Sequence, residues 1–280
     1  MDTLYHYCST ETFRAIVSHK KIRLSSLRQS NDSAEGRVAE TALRSAVKER
    51  AINPDANQVL KDALRRSRYD NTTFTLGFCL SENGDQLSQW RGYADDGHGV
   101  SIGFSRSYLD KLVESIWQQN LHTDQENALE VVLTQVTYQE TEQVAKLKAL
   151  AERYLSQFSE GMFCEYQEGH QGQRKQLFRL LSELRDNDYT FKRCGFQDER
   201  EWRLLCRASF DNRNHLEFTH TRHELKPYID LDISQELDRV SPIVDVVLGP
   251  KHTTPRSFVK RFISREFKDV KVNASGLTYR

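Results

Sequence analysis

Phe196-Gln-Asp-Glu-Arg-Glu-Trp-Arg-Leu-Leu-Cys206 is the stretch on which the reading of this chain turns. Its alternation predicts a strand late in the protein with two chemically different faces. Glu199, Glu201 and Arg203 project to one side, while Trp202, Leu204 and Cys206 project to the other, a core face. Two carboxylates and a guanidinium in one row are costly to bury without partners. Period-2 patterning cannot separate a solvated edge face from an active site, so this stretch alone leaves both readings open.

The rest of the chain predicts strands at both ends and helices between them. Leu4–Tyr7 reads as a strand, followed by an N-cap at Ser9 or Thr10 and a short helix with Phe13, Ile16 and Val17 inward. Lys21–Leu27 and Thr73–Leu80 are further strands, the second with Phe74, Leu76, Phe78 and Leu80 on one face. Between them, Asp32 with Glu35 opens a helix to about Arg50, and Asn53-Pro54 opens another to about Arg68. A helical turn over Gln86–Tyr93, a tight loop Ala94–Gly99 and a strand Val100–Phe104 follow. Ser105 then caps a helix with Tyr108, Leu109, Leu112, Val113, Ile116 and Trp117 as its stripe.

Glu130–Tyr138 is rich in β-formers, and Glu140–Phe158 and Gln173–Leu184 are helical in pattern. Beyond the quoted stretch come short strands at His215–Phe218, Tyr228–Leu231 and Ile243–Leu248. A helix (Pro255–Phe267) and a strand (Val270–Asn273) close the chain. The expected architecture is one α+β domain over residues 1–280, with a helical insertion at about 105–190.

Lys+Arg and Asp+Glu both number 40, so zero net charge gives no general attraction to duplex DNA or an anionic membrane. No apolar run approaches a membrane span, and the start of the chain lacks a signal-peptide pattern. The five cysteines are scattered, with no Cys-x-x-Cys pair, and read as reduced thiols rather than a disulfide or zinc framework. A cytoplasmic protein is expected.

Four stretches are polar and aromatic beyond what packing asks for: Tyr5-His6-Tyr7; Arg23-Leu24-Ser25-Ser26 leading to Asn31-Asp32; Ser88–Gly99, which contains Trp90 and Tyr93; and the quoted strand. Together with Gly-Val-Ser-Ile-Gly-Phe104 and a closing Leu-Gly-Pro250…Tyr-Arg280, in this order from Leu4 to the end, they resemble the bacterial family called domain of unknown function 2971. The layout is also similar to the His-Tyr-Glu class of ADP-ribosyltransferases, which grip NAD in a split mixed or antiparallel sheet.

That resemblance implies NAD as substrate, with no metal. It implies His6 on the ribose hydroxyls, Tyr93 or Trp90 stacked on the nicotinamide and Glu201 as the catalytic carboxylate. Glu199 would orient or deprotonate the acceptor, Arg23 or Arg203 would neutralise the pyrophosphate, and Ser25 would line the cofactor site. It implies a protein or nucleic-acid acceptor (or water), a toxin or antiphage setting, an antitoxin or defence-system partner, and no membrane partner. The chemistry suits these residue types, because an oxocarbenium-like transition state is stabilised by a carboxylate in a water-poor cleft.

Three rivals keep their places. A non-catalytic scaffold would use the polar strand as a partner-facing edge. A metal-dependent nuclease or hydrolase would draw ligands from His6, Asp32, Asp95, Asp96, His98, Glu199 and Glu201. A Cys-His nucleophile would use Cys8 or Cys79. The basic face of the C-terminal helix, opposite Phe258, Phe262 and Ile263, is read as solvated rather than as a nucleic-acid contact.

Overall fold

The computed structural model describes residues 2–27, 73–120, 128–146, 149, 189–210, 215–220 and 224–279. The helices expected from Asp32, Asn53 and Gln173, the later part of the one from Glu140, and Asn31-Asp32 themselves lie outside these residues. The chain divides into two compact units, one of Met1–Ser26, Leu76–Gln135 and Gln197–Arg280, the other of Leu27–Thr75 and Val136–Phe196.

The first unit is a mixed α+β structure built on an open sheet. Its strands are β1 (Thr3–Cys8), β2 (Lys21–Ser26), β3 (Thr73–Ser81), β4 (Val100–Ser105), β5 (Glu130–Gln135), β6 (Glu201–Ser209), β7 (Glu217–His220), β8 (Leu225–Asp232), β9 (Ile243–Leu248) and β10 (Lys271–Ala274). The path runs β10-β9-β4-β1-β3-β2-β8-β7, with β6 also on β3 and β5 on β6. The β9–β10 pair is parallel, whereas β4 meets both β1 and β9 antiparallel. Among the described residues, four helices accompany the sheet: α1 (Thr10–His19), α2 (Leu87–Tyr93), α3 (Arg106–Asn120) and α4 (Arg256–Ile263).

Local chemistry sets the element ends. Ser9 Oγ accepts from Thr12 N–H at 3.1 Å and caps α1, which ends at Lys20 in the left-handed region (φ 52°). Phe13, Ile16 and Val17 are buried, as their spacing predicts. Ser105 Oγ accepts from Tyr108 N–H at 3.3 Å at the start of α3. Gly99 leaves no room for a side chain, since a Cβ there would lie 2.2 Å from the Cys8 carbonyl oxygen.

The quoted stretch is not one continuous strand. Cys194–Glu199 is a 3-10 turn, Arg200 adopts φ 43°, and β6 begins only at Glu201. The left-handed residue ends the turn and resets the pleat, so Glu199 does not continue the row of Glu201 and Arg203. Two helical stripes also differ from expectation. On α3, Tyr108, Leu109 and Leu112 are buried, but Trp117, a turn beyond, is 60% exposed. On α4, Val259 and Ile263 are the buried i, i+4 pair and Phe258 is exposed.

In the second unit, Thr137 and Phe191 form an isolated parallel bridge. Gln143 Nε2 donates to the carbonyls of Thr137 and Lys192, both at 2.8 Å. Residues 140–146 are helical.

Candidate active site

Strand β3 carries three neighbours: β1 at Tyr5↔Ser81, β2 at Ser25↔Gly77 and Ser26↔Leu76, and β6. A strand has only two edges, so two of these partners share one of them. Backbone groups of alternate residues aim at opposite edges. Glu82 N–H donates to the Arg200 carbonyl at 3.1 Å, which places β6 on the edge addressed by even-numbered residues. The carbonyl of Cys79 therefore faces the other edge, between the Ser81 contact with β1 and the Gly77 contact with β2. The sheet forks there.

His6 sits in the fork. Its Nδ1 lies 2.8 Å from the Cys79 carbonyl oxygen, and its ring stacks on Phe78 at 4.0 Å between centroids. A carbonyl can only accept, so Nδ1 carries the proton and Nε2 of the neutral ring is left as the acceptor. Burial lowers the imidazole pKa to about 4, with the Cys79 bond acting in the opposite direction.

The pleat sorts the remaining candidates. Residues directly opposite each other share a face, which groups Tyr5, Ser81 and Gly103 with Asp245, and Arg23 and Ser25 with Asp230 and Tyr228. Trp202 Nε1 donates to Glu82 Oε1 at 3.0 Å, so Trp202 lies on the side opposite Ser81. Glu201 and Arg203 then point to the Ser81 side. One polar face thus carries Tyr5, Tyr7, Ser81, Arg23, Ser25, Glu201 and Arg203. His6 belongs to the opposite, apolar face with Leu4, Ile102 and Phe104, and reaches the polar side only at the fork.

Glu201 and Arg203 form a two-bond pair. Arg203 Nε donates to Oε1 of Glu201 at 2.8 Å and Nη2 to Oε2 at 3.0 Å. Arg203 is only 2% exposed and Glu201 5%. The two parallel bonds hold the carboxylate in one orientation. They also engage the guanidinium to which the resemblance gives the pyrophosphate.

Glu199, in the turn before β6, is buried. Its carbonyl accepts from Ser81 Oγ at 2.7 Å and its Oε1 from the Tyr93 hydroxyl at 3.3 Å. Tyr93 is half exposed at the end of α2. Trp90, the alternative stacking residue, is fully buried: its Nε1 donates to Asp85 Oδ1 at 2.7 Å and its ring meets Tyr7 edge-on. It is a core residue of α2 and cannot offer a face to a ligand. Arg23 is partly exposed, with bonds of 2.9 and 3.1 Å to the Asp230 carboxylate and its guanidinium 3.6 Å from the Tyr228 ring centre.

The structure therefore brings together Tyr93 with Glu199, and Glu201 with Arg203, and sets His6 apart at the fork. Sequence reasoning passed over Tyr5 and Tyr7 as site residues, although their alternation with His6 marks them for the other face. Tyr5 donates to Asp245 Oδ2 at 3.2 Å, and burial with that carboxylate raises its pKa to about 12.

Among the described residues no group of three or more His, Cys, Asp or Glu side chains could hold a metal ion. Cys8, Cys79, Cys194 and Cys206 are thiols. No helix among the described residues is long and apolar enough to cross a membrane.

A family model described as "Protein of unknown function (DUF2971)" matches residues 89–204. The match supports that family and spans the segment from Gln89 in α2 to Leu204 in β6. It includes Tyr93, Glu199, Glu201 and Arg203 and leaves out His6, Arg23 and Ser25. No curated protein and no solved structure matches the chain.

Proposed function

We propose that the protein cleaves NAD at the nicotinamide–ribose bond and passes ADP-ribose to a macromolecule or to water. The observation that carries this reading is the forked sheet: β1 and β2 leave β3 at different points, a neutral histidine holds the fork, and β6 brings a buried carboxylate along the other edge. In the reaction the bond from ribose C1′ to the nicotinamide nitrogen breaks and its electron pair leaves with the nicotinamide. The acceptor's lone pair then bonds to C1′, and the acceptor loses a proton.

Glu201, aimed and desolvated by Arg203, stabilises the positive charge that grows on the ribose. Glu199 receives or directs the acceptor's proton, and Tyr93 offers its exposed ring for stacking while its hydroxyl orders Glu199. His6, on the face of Leu4 and Phe104 opposite Glu201, holds the fork and takes no part at the ribose. Arg23 meets the pyrophosphate only by exchanging Asp230 for it.

A second reading rests on the same pair. Because Arg203 satisfies both oxygens of Glu201, the two can serve as a purely structural clasp in a scaffold protein.

Nicotinamide release, ADP-ribose transfer to a lysate, and thermal stability with and without NAD separate the two readings. NAD is expected to raise the melting temperature by mass action. Tyr93→Ala should weaken NAD binding roughly tenfold, since one stacking partner is worth about 1–3 kcal/mol. Glu199→Gln leaves the Arg203 pair intact and should cut transfer to the acceptor more than it cuts NAD hydrolysis. Absence of both a thermal shift and nicotinamide release with millimolar NAD would falsify the enzyme reading.

A further inference from the structure

The last described residues of the chain lie against α2, pinned on both of its flanks. On the N-terminal flank, Asp85 accepts from Ser275 Oγ at 2.6 Å and from Gly276 N–H at 2.8 Å. The same carboxylate accepts from Trp90 Nε1, so one side chain ties the tail and the helix together. On the C-terminal flank, Asp96 accepts from the Tyr279 hydroxyl at 2.6 Å and from Lys251 Nζ at 2.8 Å. Lys251 also lies 3.9 Å from the centre of the Tyr279 ring. Between the pins, Leu277 packs against the cluster of Tyr7, Trp90, Ala94 and Val247.

Helix α2 has seven residues and no side-chain cap at its N-terminus, and Ala94 beyond it leaves the helical region. An isolated helix of this length does not hold its shape, so its order comes from tertiary contacts. Three facts converge. The helix that carries Tyr93 cannot stand alone, its buried Trp90 shares Asp85 with the tail, and the residues just past its C-terminal end are held by Tyr279 and Lys251. Asp96, which makes the second pin, itself sits at φ 52°.

We propose that Ser275–Tyr279 is an intramolecular strap, with Asp85, Asp96 and Tyr279 as positioning residues that fix α2 and so hold Tyr93 against Glu199. The consequence for NAD rests on the function proposed above; the mechanical statement does not. None of the three touches the reacting atoms. They act through the helix.

The test compares Tyr279→Phe and Asp96→Asn with the wild-type full chain. Tyr279→Phe keeps the ring over Lys251 and removes only the hydroxyl bond, so it spares folding. Amide hydrogen exchange is read across α2 and, as the internal control, across β4 and β9. Exchange over residues 87–93 is expected to rise about tenfold in both variants while β4 and β9 stay unchanged, as for local opening. NAD affinity should fall several-fold, with kcat for nicotinamide release altered less than KM.

Exchange that does not change, or that rises equally in β4 and β9, overturns the strap. Faster exchange in α2 with unaltered NAD affinity, in a protein that binds NAD, upholds the strap and overturns only its consequence for NAD binding. If the wild-type chain neither binds nor cleaves NAD, the functional reading fails separately, and the exchange comparison still decides the strap.

Discussion

Arg203→Leu is expected to destabilise the protein by about 3–5 kcal/mol, because it removes the guanidinium bonded to both oxygens of a buried carboxylate. The pair has two bonds of 2.8 and 3.0 Å, and both side chains are almost fully out of solvent. Leucine replaces neither of these two bonds. Glu201→Gln is also affected: the amide oxygen can still accept from Arg203, but one charge-assisted bond is lost. A bare comparison of Glu201→Gln with wild type therefore mixes catalysis with folding.

The Glu201→Leu/Arg203→Leu double variant removes both charges and is expected to recover most of the lost stability, since a buried pair is often replaceable by apolar groups. Urea unfolding of the two single variants and the double gives the coupling between them. Equal and additive losses would mean that the pair does not act as a unit. If the double variant folds like wild type and still releases nicotinamide, Glu201 has no catalytic part, and the structural reading of the pair stands alone.

What the chain's sequence made legible was periodicity. The burial of Leu76, Phe78 and Leu80 on β3 and the inward stripe of α1 follow from alternation and helical spacing, which depend on residue type alone. Three features were not legible, each for a physical reason. Arg200 takes a positive φ that residue identity does not announce, so the expected strand ran five residues too far toward the N-terminus and carried Glu199 with it. Trp90 and Tyr93 stand one helical turn apart, and spacing could not say which faced the core; Asp85, by accepting from the indole N–H, lets Trp90 be fully buried.

The third feature is the fork. The resemblance groups His6 with the carboxylates, but strand order and edge are tertiary facts. Only the pairings of β3 show that the imidazole lies on the face of Leu4 and Phe104, opposite Glu201. The tail strap likewise joins residues nearly 200 positions apart, which no local pattern signals.

The imidazole at the fork has a consequence in acid. Unfolded, a histidine takes up a proton near pH 6.5; in the folded protein burial delays this until about pH 4. Between those values the unfolded chain binds more protons than the native one, so stability falls as pH falls. The contribution of His6 is fully present above pH 6.5 and declines by about 2–3 kcal/mol down to pH 4, allowing for the partial exposure of the ring. The structural event is specific. A protonated ring keeps its Nδ1–H bond to Cys79, but Nε2 gains a proton and the ring carries a charge into the layer of Phe78 and Phe104. His6→Asn retains a donor for the Cys79 carbonyl and cannot titrate. Urea unfolding at pH 7, 5.5 and 4.5 should therefore show wild type losing stability faster than His6→Asn on acidification, even if the variant starts lower at pH 7. Parallel pH profiles would remove His6 as the acid-sensitive element of the fold.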